Sequence, residues 1–175
     1  MGQRSDVSLT QTQISSYMLN PEKSIYSRRM NQALNILRSI ASNRSNDFSG
    51  TGVVFYTDLA GLPHLQLISE REEPNVSQFD DRSIATTLTS VSTMCSPLHD
   101  GFHFVDSRSW QMTHLSQFIS PPIPHDAAQR FRGTGARLIA AVLASLLPGI
   151  TYVGLVSQGG QVHLFCNGVD IAEKN

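Results

Sequence analysis

Residues 133–137 have the composition of a phosphate-binding helix start. Two glycines leave room for a ligand to approach the backbone, and the free N–H groups of a first helical turn attract an anion. A threonine adds a hydroxyl that can cap the helix, and arginines add donor forks that suit phosphate. A flexible basic loop is the alternative interpretation, because glycine-rich turns before helices are common. The candidate phosphate contacts are Arg132, Gly133, Thr134, Gly135 and Arg137.

Two further segments carry side chains that can do chemistry. Asp100-Gly101 falls between a predicted helix and a predicted strand, where a carboxylate can hold a divalent metal or accept a proton from a hydroxyl. A simple Asp-Gly turn explains the same pair without any function. Ser157-Gln158 lies at the tip of the last predicted hairpin, where a loop can contact a ligand. Each segment is a weak motif alone, so their order and spacing carry the argument.

The composition indicates one globular domain and no nucleic-acid partner. The chain has 175 residues, of which 40% are hydrophobic and 15% charged, and its net charge is −1. This length suffices for a buried core, and the charge balance excludes a basic nucleic-acid coat or an acidic disordered tail. Every cationic residue except Lys23 and Lys174 is arginine. That bias suits an anion-binding protein, and a GC-rich genome is the alternative explanation.

Three observations predict a cytoplasmic protein without a membrane span. Residues 1–19 form a polar N-terminal arm that lacks the apolar segment of a signal peptide. The uncharged stretch 138–156 approaches the length of a membrane helix, but Pro148-Gly149 divides it. Its first half is rich in Ala and Leu and its second half is β-branched, so we expect a buried helix followed by a buried strand. Cys95 and Cys166 frame no disulfide scaffold.

Periodicity in the first half predicts two helices around a hairpin. A helix is expected over 20–42, because Asn followed by Pro favours a first helical turn. Apolar runs predict strands over 53–56 and 64–68, joined as a hairpin. A second helix is expected over 83–94. This order is similar to that of small sensory α/β domains of the roadblock or profilin type, a generic likeness.

The second half is predicted to contain a buried helix between strands. A strand is expected over 102–105 and a helix over 134–147, capped by Thr134. The segment 110–119 fits a helix and a strand equally well. Strands over 150–156 and 162–166 are expected to form a second hairpin around two glycines.

Interspersed helices and apolar strands predict a single α/β domain over 20–175, with a mixed β-sheet flanked by helices. Within it, residues 65–170 resemble the diadenylate cyclase domain, which joins two ATP molecules into cyclic di-AMP. Asp100-Gly101-Phe102 takes the place of that family's Asp-Gly-Ala motif. Residues 133–137 take the place of Gly-Thr-Arg-His-Arg, which opens a helix. Val156-Ser157-Gln158 is similar to the apolar strand that ends in Ser-Glu or Ser-Gln.

The resemblance implies a site for a purine nucleotide or a cyclic dinucleotide. In active members two domains face each other, and each holds one ATP. The Asp, here Asp100, helps to activate the ribose 3′-hydroxyl together with Mg or Mn, and the Arg-His-Arg group steadies the triphosphate. The family therefore implies Asp100 as the catalytic and metal-binding residue. It also implies a homo-oligomer or a partner protein. The implied nucleotide contacts are Gly101, Arg132, Gly133, Thr134, Gly135, Arg137, Ser157 and Gln158.

The departures from the family pattern fall on the groups that handle phosphate. Gly135 and Ala136 stand where the first Arg and the His would be, and only Arg137 remains. Phe102 replaces a small Ala beside the ribose and base. Losing one cation from such a cluster costs on the order of 10²-fold in rate. We therefore expect a divergent nucleotide binder or sensor with weak or no synthase activity, and an active cyclase is the first alternative.

Three other interpretations compete with the nucleotide site. A zinc site is one, because the side chains of Cys95, Asp100 and Asp106 lie near two histidines, His99 and His103, in the sequence. A serine hydrolase is rejected, because the Ser157 segment is not a Gly-x-Ser-x-Gly elbow. A non-catalytic interaction module is the third, in which the first helix pairs with itself or a partner. That alternative predicts an assembly that fails when Leu34 and Leu37 are made polar.

Overall fold

A computed structural model describes residues 21–68 and 81–172, and these form one mixed sheet between helices. The sequence prediction of an α/β fold with a mixed sheet is confirmed. The elements in chain order are α1 Pro21–Asn43, β1 Thr51–Tyr56, β2 His64–Gln66, α2 Asp81–Val91, β3 Phe102–Asp106, β4 Gln111–Ile119, α3 Ala127–Arg130, α4 Ala136–Ala144, β5 Ile150–Val156, β6 Val162–Cys166 and β7 Val169–Asp170.

The sheet has the strand order β2-β4-β3-β1-β5-β6-β7. β1 pairs in parallel with β3, and every other pair of neighbouring strands is antiparallel. All six residues of β1 are buried, as expected of a central strand that is covered on both faces. Because β1 and β3 are parallel, the loops that precede them lie at the same end of the sheet.

Each face of the sheet has its own hydrophobic core. α1 and α2 cover one face, where Leu34, Leu37 and Phe55 are buried. α4 covers the other face and packs Ala141 against Val153 and its neighbours. Leu34 and Leu37 are 1% and 0% exposed. They form part of the chain's own core, so they are not available for contact with a partner.

Two predictions for the first half need correction. β1 and β2 do not form a hairpin, because β2 pairs with β4 at the far edge of the sheet. The apolar composition of β1 suits a doubly covered strand, whereas Leu65 of β2 is 66% exposed. The helix predicted over 83–94 is α2, which begins and ends a few residues earlier. The predicted cap at residue 20 and the arm over 1–19 lie outside the described residues.

The second half follows the prediction more closely. The ambiguous segment 110–119 is the strand β4, and the hairpin of β5 and β6 is present as expected. The short helix α3, which follows Pro121, Pro122 and Pro124, was not predicted. Thr134 is not the cap of α4, because Gly135 occupies that position without a side-chain hydrogen bond. In the part of the chain described, no helix has the length and apolarity to cross a membrane.

Candidate nucleotide site

The first turn of α4 lies between two clefts, at the end of the sheet where β1 and β3 begin. One cleft has a volume of about 300 Å³, and we name it the Asp100 cleft. The other has a volume of about 440 Å³, and we name it the Ser157 cleft. Ala136 and Arg137 line both. The Asp100 cleft is also lined by Leu67, Asp100, Gly101, Gln117 and Phe118. The Ser157 cleft is also lined by Gly50, Thr51, Gly135, Ser157, Gln158 and His163.

Arg137 is the cation that the two clefts share. Its Nη2 lies 3.8 Å from Oδ1 of Asp100, and its side chain is one-third exposed. Its Nη1 lies beside Gly50, where an added Cβ would come within 3.5 Å of it and 3.0 Å of the Val156 carbonyl oxygen. Burial lowers the pKa of Arg137, and the Asp100 carboxylate partly opposes that shift. Arginine stays protonated in proteins, so a partly buried positive charge faces both clefts.

Asp100 lies at the rim, on the turn that enters β3. Its side chain is 67% exposed, and Oδ2 lies 3.7 Å from Nε2 of His99. Gly101 follows with φ of +80°, and an added Cβ would lie 2.5 Å from the Gln117 carbonyl oxygen. The turn therefore requires glycine at position 101. The pair is therefore a turn, as the simpler interpretation expected, and this turn leaves the Asp100 carboxylate exposed at the rim of the cleft.

The glycine-rich segment contributes fewer contacts than its sequence predicts. Gly135 has an extended backbone, lines the Ser157 cleft and has open space around its Cβ position. Thr134 donates its amide N–H to the Phe131 carbonyl. Neither Thr134 nor Gly133 lines either cleft, and the exposed Arg132 does not either. Of the predicted cationic contacts, the structure brings only Arg137 to the clefts.

Ser157 and Gln158 lie at the turn between β5 and β6, the hairpin tip at which the strand pattern predicted them. The Ser157 hydroxyl oxygen accepts a hydrogen bond from the Gln161 amide at 2.9 Å. The Gly160 amide donates to the Ser157 carbonyl, also at 2.9 Å. The hydroxyl therefore shapes the turn, and Gln158 stands beside it in the Ser157 cleft.

Two groups at the clefts were missed in the sequence. Phe118 is 53% exposed and forms an apolar wall of the Asp100 cleft. His163 lines the Ser157 cleft and is held by Asp170. An alternating strand pattern could have suggested that Phe118 faces outward, once residues 110–119 had been assigned as a strand. The position of His163 depends on the pairing of β6 with β5, which no local signal marks.

The zinc interpretation is not supported. Among residues 21–68 and 81–172, no three His, Cys, Asp or Glu side chains lie close enough to hold a metal ion together. His103 is fully buried on β3. Asp106 lies at the opposite end of the same strand, where it accepts a hydrogen bond from the Arg108 amide. His103 and Asp106 are therefore close in the sequence but point to different surroundings at the two ends of β3.

No protein-family model matches this chain, and no curated protein matches it. The resemblance to the diadenylate cyclase domain therefore rests on the motifs quoted above and on their order.

Proposed function

We propose that this chain is a divergent diadenylate-cyclase-like domain that binds ATP or a cyclic (di)nucleotide, with weak or no synthase activity. The observation that carries the proposal is the position of Arg137. It joins two clefts at the first turn of α4, and it lies 3.8 Å from Asp100. Free backbone N–H groups and a partly buried guanidinium favour a phosphate at this point.

The two clefts differ in chemistry in a way that suits the parts of a nucleotide. The Asp100 cleft offers the exposed ring of Phe118 and the apolar side chain of Leu67, which favour a planar base. The Ser157 cleft offers the backbone of Gly50 and Gly135 and the Gln158 side chain, which favour polar phosphate or ribose groups. Arg137 lies between the two clefts, where it would contact a phosphate between the base and the polar groups of the ligand.

Synthesis requires more positive charge than the described residues offer. Gly135 and Ala136 bring no cation to the first turn, and Arg132 lies outside both clefts. Attack at a phosphate depends mainly on positioning and charge neutralisation, so a single arginine supports binding better than catalysis. A sensor role, a homo-oligomer or partner protein, and a cytoplasmic location belong to the same proposal.

Among the described residues that line the clefts, Asp100 is the one carboxylate that could hold the implied metal, Mg or Mn. Asp100 is an exposed carboxylate beside the expected phosphate position. Mg²⁺ is commonly held by one or two carboxylates together with substrate phosphates. The residues therefore fit a metal that arrives with ATP, and such a metal would neutralise phosphate charge there.

The test measures binding and synthesis with the same protein. ATP and cyclic di-AMP are titrated into wild type by calorimetry, and ATP with Mn is incubated for product analysis by mass spectrometry. The Arg137→Gln variant is expected to lose at least ten-fold in affinity. Arg130→Gln serves as the matched control, because Arg130 is an exposed arginine in a 3.8 Å ion pair with Asp126.

Each outcome decides between the alternatives. Binding without product supports the proposal, and cyclic di-AMP made by wild type but not by Asp100→Asn would establish the active cyclase. Equal affinity in Arg137→Gln and wild type would show that the ligand binds elsewhere. The absence of any bound nucleotide would leave the interaction module as the remaining interpretation.

A further inference from the structure

A histidine and an aspartate form a close pair at the wall of the Ser157 cleft. His163 lies on β6, opposite Leu155 of β5, and lines the cleft together with Arg137. Its Nδ1 lies 2.6 Å from Oδ2 of Asp170 on β7. Its ring also stacks on Phe165, with the planes 9° apart. Packing and the hydrogen bond thus fix the orientation of the ring.

Asp170 is held as a carboxylate by its surroundings. Burial alone would raise the pKa of Asp170, but hydrogen bonds from His163 and from the Ala172 and Leu164 amides outweigh it and lower the pKa. Both amides donate to Oδ1 at 3.1 Å, which leaves Oδ2 for the imidazole. An ionised carboxylate only accepts hydrogen bonds, so Nδ1 of His163 carries a proton.

The second ring nitrogen of His163 is left for a ligand. Within the described ranges, Nδ1 bonded to Asp170 is the one polar contact of this ring, and Nε2 has none. The His163 side chain is 21% exposed, so it is reachable from the cleft. Among the described residues, the charged groups at this histidine are Arg137 of α4, which lines the same cleft, and Asp170 of β7, while β5 contributes Leu155 and α4 also contributes Leu138.

We propose that His163 is a second anion-binding residue of this site, and that it takes up a proton when a phosphate binds. The inference rests on the proposed function, because it concerns the same ligand. One proton from solvent adds to Nε2, and the resulting imidazolium donates Nδ1–H to Asp170 and Nε2–H to a phosphate oxygen. His163 thereby supplies from β6 part of the positive charge that Gly135 and Ala136 do not supply from α4.

The chemistry fixes the direction of the pH dependence. A neutral Nε2 carries a lone pair that repels an anionic oxygen, whereas a protonated Nε2 donates a charge-assisted hydrogen bond. Asp170 stabilises the imidazolium through its opposite charge. Affinity for an anion must therefore rise as the pH falls. A ligand hydroxyl that donates to neutral Nε2 would give the opposite slope.

The first arm of the test measures the affinity for cyclic di-AMP between pH 5.5 and 8.5. This probe is chosen because its phosphodiesters do not titrate in that range. In wild type the affinity is expected to rise by up to ten-fold per pH unit as the pH falls, which corresponds to one proton taken up. His163→Gln is expected to bind with a flat profile and to match wild type only at high pH. Asp170→Asn should weaken binding at low pH, since the imidazolium loses its anionic partner.

His125→Gln is the matched control, because His125 is exposed in the loop before α3 and lines neither cleft. It should keep the wild-type slope. An identical slope in wild type and His163→Gln, or an affinity that falls as the pH falls, would overturn the inference. Circular dichroism of each variant verifies that the fold is retained.

The second arm separates this inference from the proposed function. Sulfate is added at constant ionic strength to protein with ¹⁵N-labelled histidine, and the Nε2 signal of His163 is assigned by its absence in His163→Gln. A shift of that signal toward the protonated form supports the anion-binding role even if neither ATP nor cyclic di-AMP binds, an outcome that would refute the nucleotide proposal alone. Binding of cyclic di-AMP with no shift of Nε2 and no pH slope would refute the role of His163 alone.

Discussion

The carboxylate of Asp100 and the guanidinium of Arg137 lie 3.8 Å apart, and they tie the turn before β3 to the first turn of α4. The Asp100 side chain is 67% exposed, so the pair is screened by water and contributes only about 0–1 kcal/mol to stability. Under the proposed function, a ligand phosphate at Arg137 would compete with this carboxylate, and a metal that arrives with ATP would relieve the competition by neutralising charge there.

Replacing Asp100 by Asn should change ATP affinity in opposite directions with and without metal. Without metal, the loss of a competing negative charge frees Arg137, and ATP should bind a few-fold more tightly. With Mn, the variant lacks the proposed metal ligand and should bind ATP more weakly than wild type. Calorimetric titrations in EDTA and in Mn measure both effects. Asp126→Asn is the matched control, since Asp126 also lies 3.8 Å from an arginine, at a surface outside the clefts. A change of ATP affinity in the same direction in both buffers would show that Asp100 does not compete with the phosphate for Arg137.

The glycines of the two motifs should differ sharply in tolerance to alanine. Gly101→Ala places a Cβ 2.5 Å from the Gln117 carbonyl oxygen at a φ of +80°, and should reduce the free energy of unfolding by about 1–3 kcal/mol or more. Gly135→Ala meets nothing within 4 Å at an ordinary φ of −67°. It should leave stability within about 0.5 kcal/mol. Urea denaturation compares the two variants, and equal losses would mean that the turn before β3 is not constrained as described.

The ring of Phe118 should contribute to ligand affinity and not to folding. It is 53% exposed, so Phe118→Ala should change the free energy of unfolding little. A base stacked on an aromatic ring is worth about 1–3 kcal/mol, so ATP affinity should fall by about 5- to 150-fold. Leu65→Ala is the control, because Leu65 pairs with Phe118 across the strands and is 66% exposed but does not line the cleft. Unchanged ATP affinity in Phe118→Ala would place the base elsewhere.

The sequence predicted the parts of this site better than their assembly. Gly101 and Gly135 were identified from turn and helix-start chemistry, and both lie at the clefts. Thr134 was expected to cap α4, but the cap is one residue later, because local chemistry permits either position. Whether Arg132 or Arg137 reaches the clefts depends on the path of the loop after α3, which no sequence pattern specifies.

Strand pairing was the least predictable feature of the fold. β1 and β2 are consecutive and apolar enough to suggest a hairpin, yet β1 pairs with β3 and β5. The full burial of β1 is a property of the assembled sheet, since it results from α1 on one face and α4 on the other. The hairpin of β5 and β6 was predictable, because a short turn with two glycines fixes it locally.

A buried histidine should make folding stability depend on pH. His103 is fully buried; its Nδ1 accepts a hydrogen bond from the Ser116 amide, and its Nε2 has no partner among the described residues. Burial, and then the charge of Arg137, lower the pKa of His103 to about 3. The unfolded chain takes up a proton at this histidine near pH 6.5, but the folded chain does not until about pH 3. The contribution of neutral His103 to the free energy of unfolding is therefore complete above about pH 6.5. It is lost progressively as the pH falls from there toward about pH 3.

The slope of stability against pH tests this assignment better than stability itself. Between pH 6 and 4, wild type should lose about 1.4 kcal/mol per pH unit through His103 alone. His103→Gln should lack that component whatever its stability at pH 7, because glutamine does not titrate. His125→Gln should keep it, since His125 is exposed. Urea denaturation at several pH values gives the three slopes. Parallel slopes for wild type and His103→Gln would mean that His103 becomes protonated inside the fold, which its burial beside Arg137 opposes.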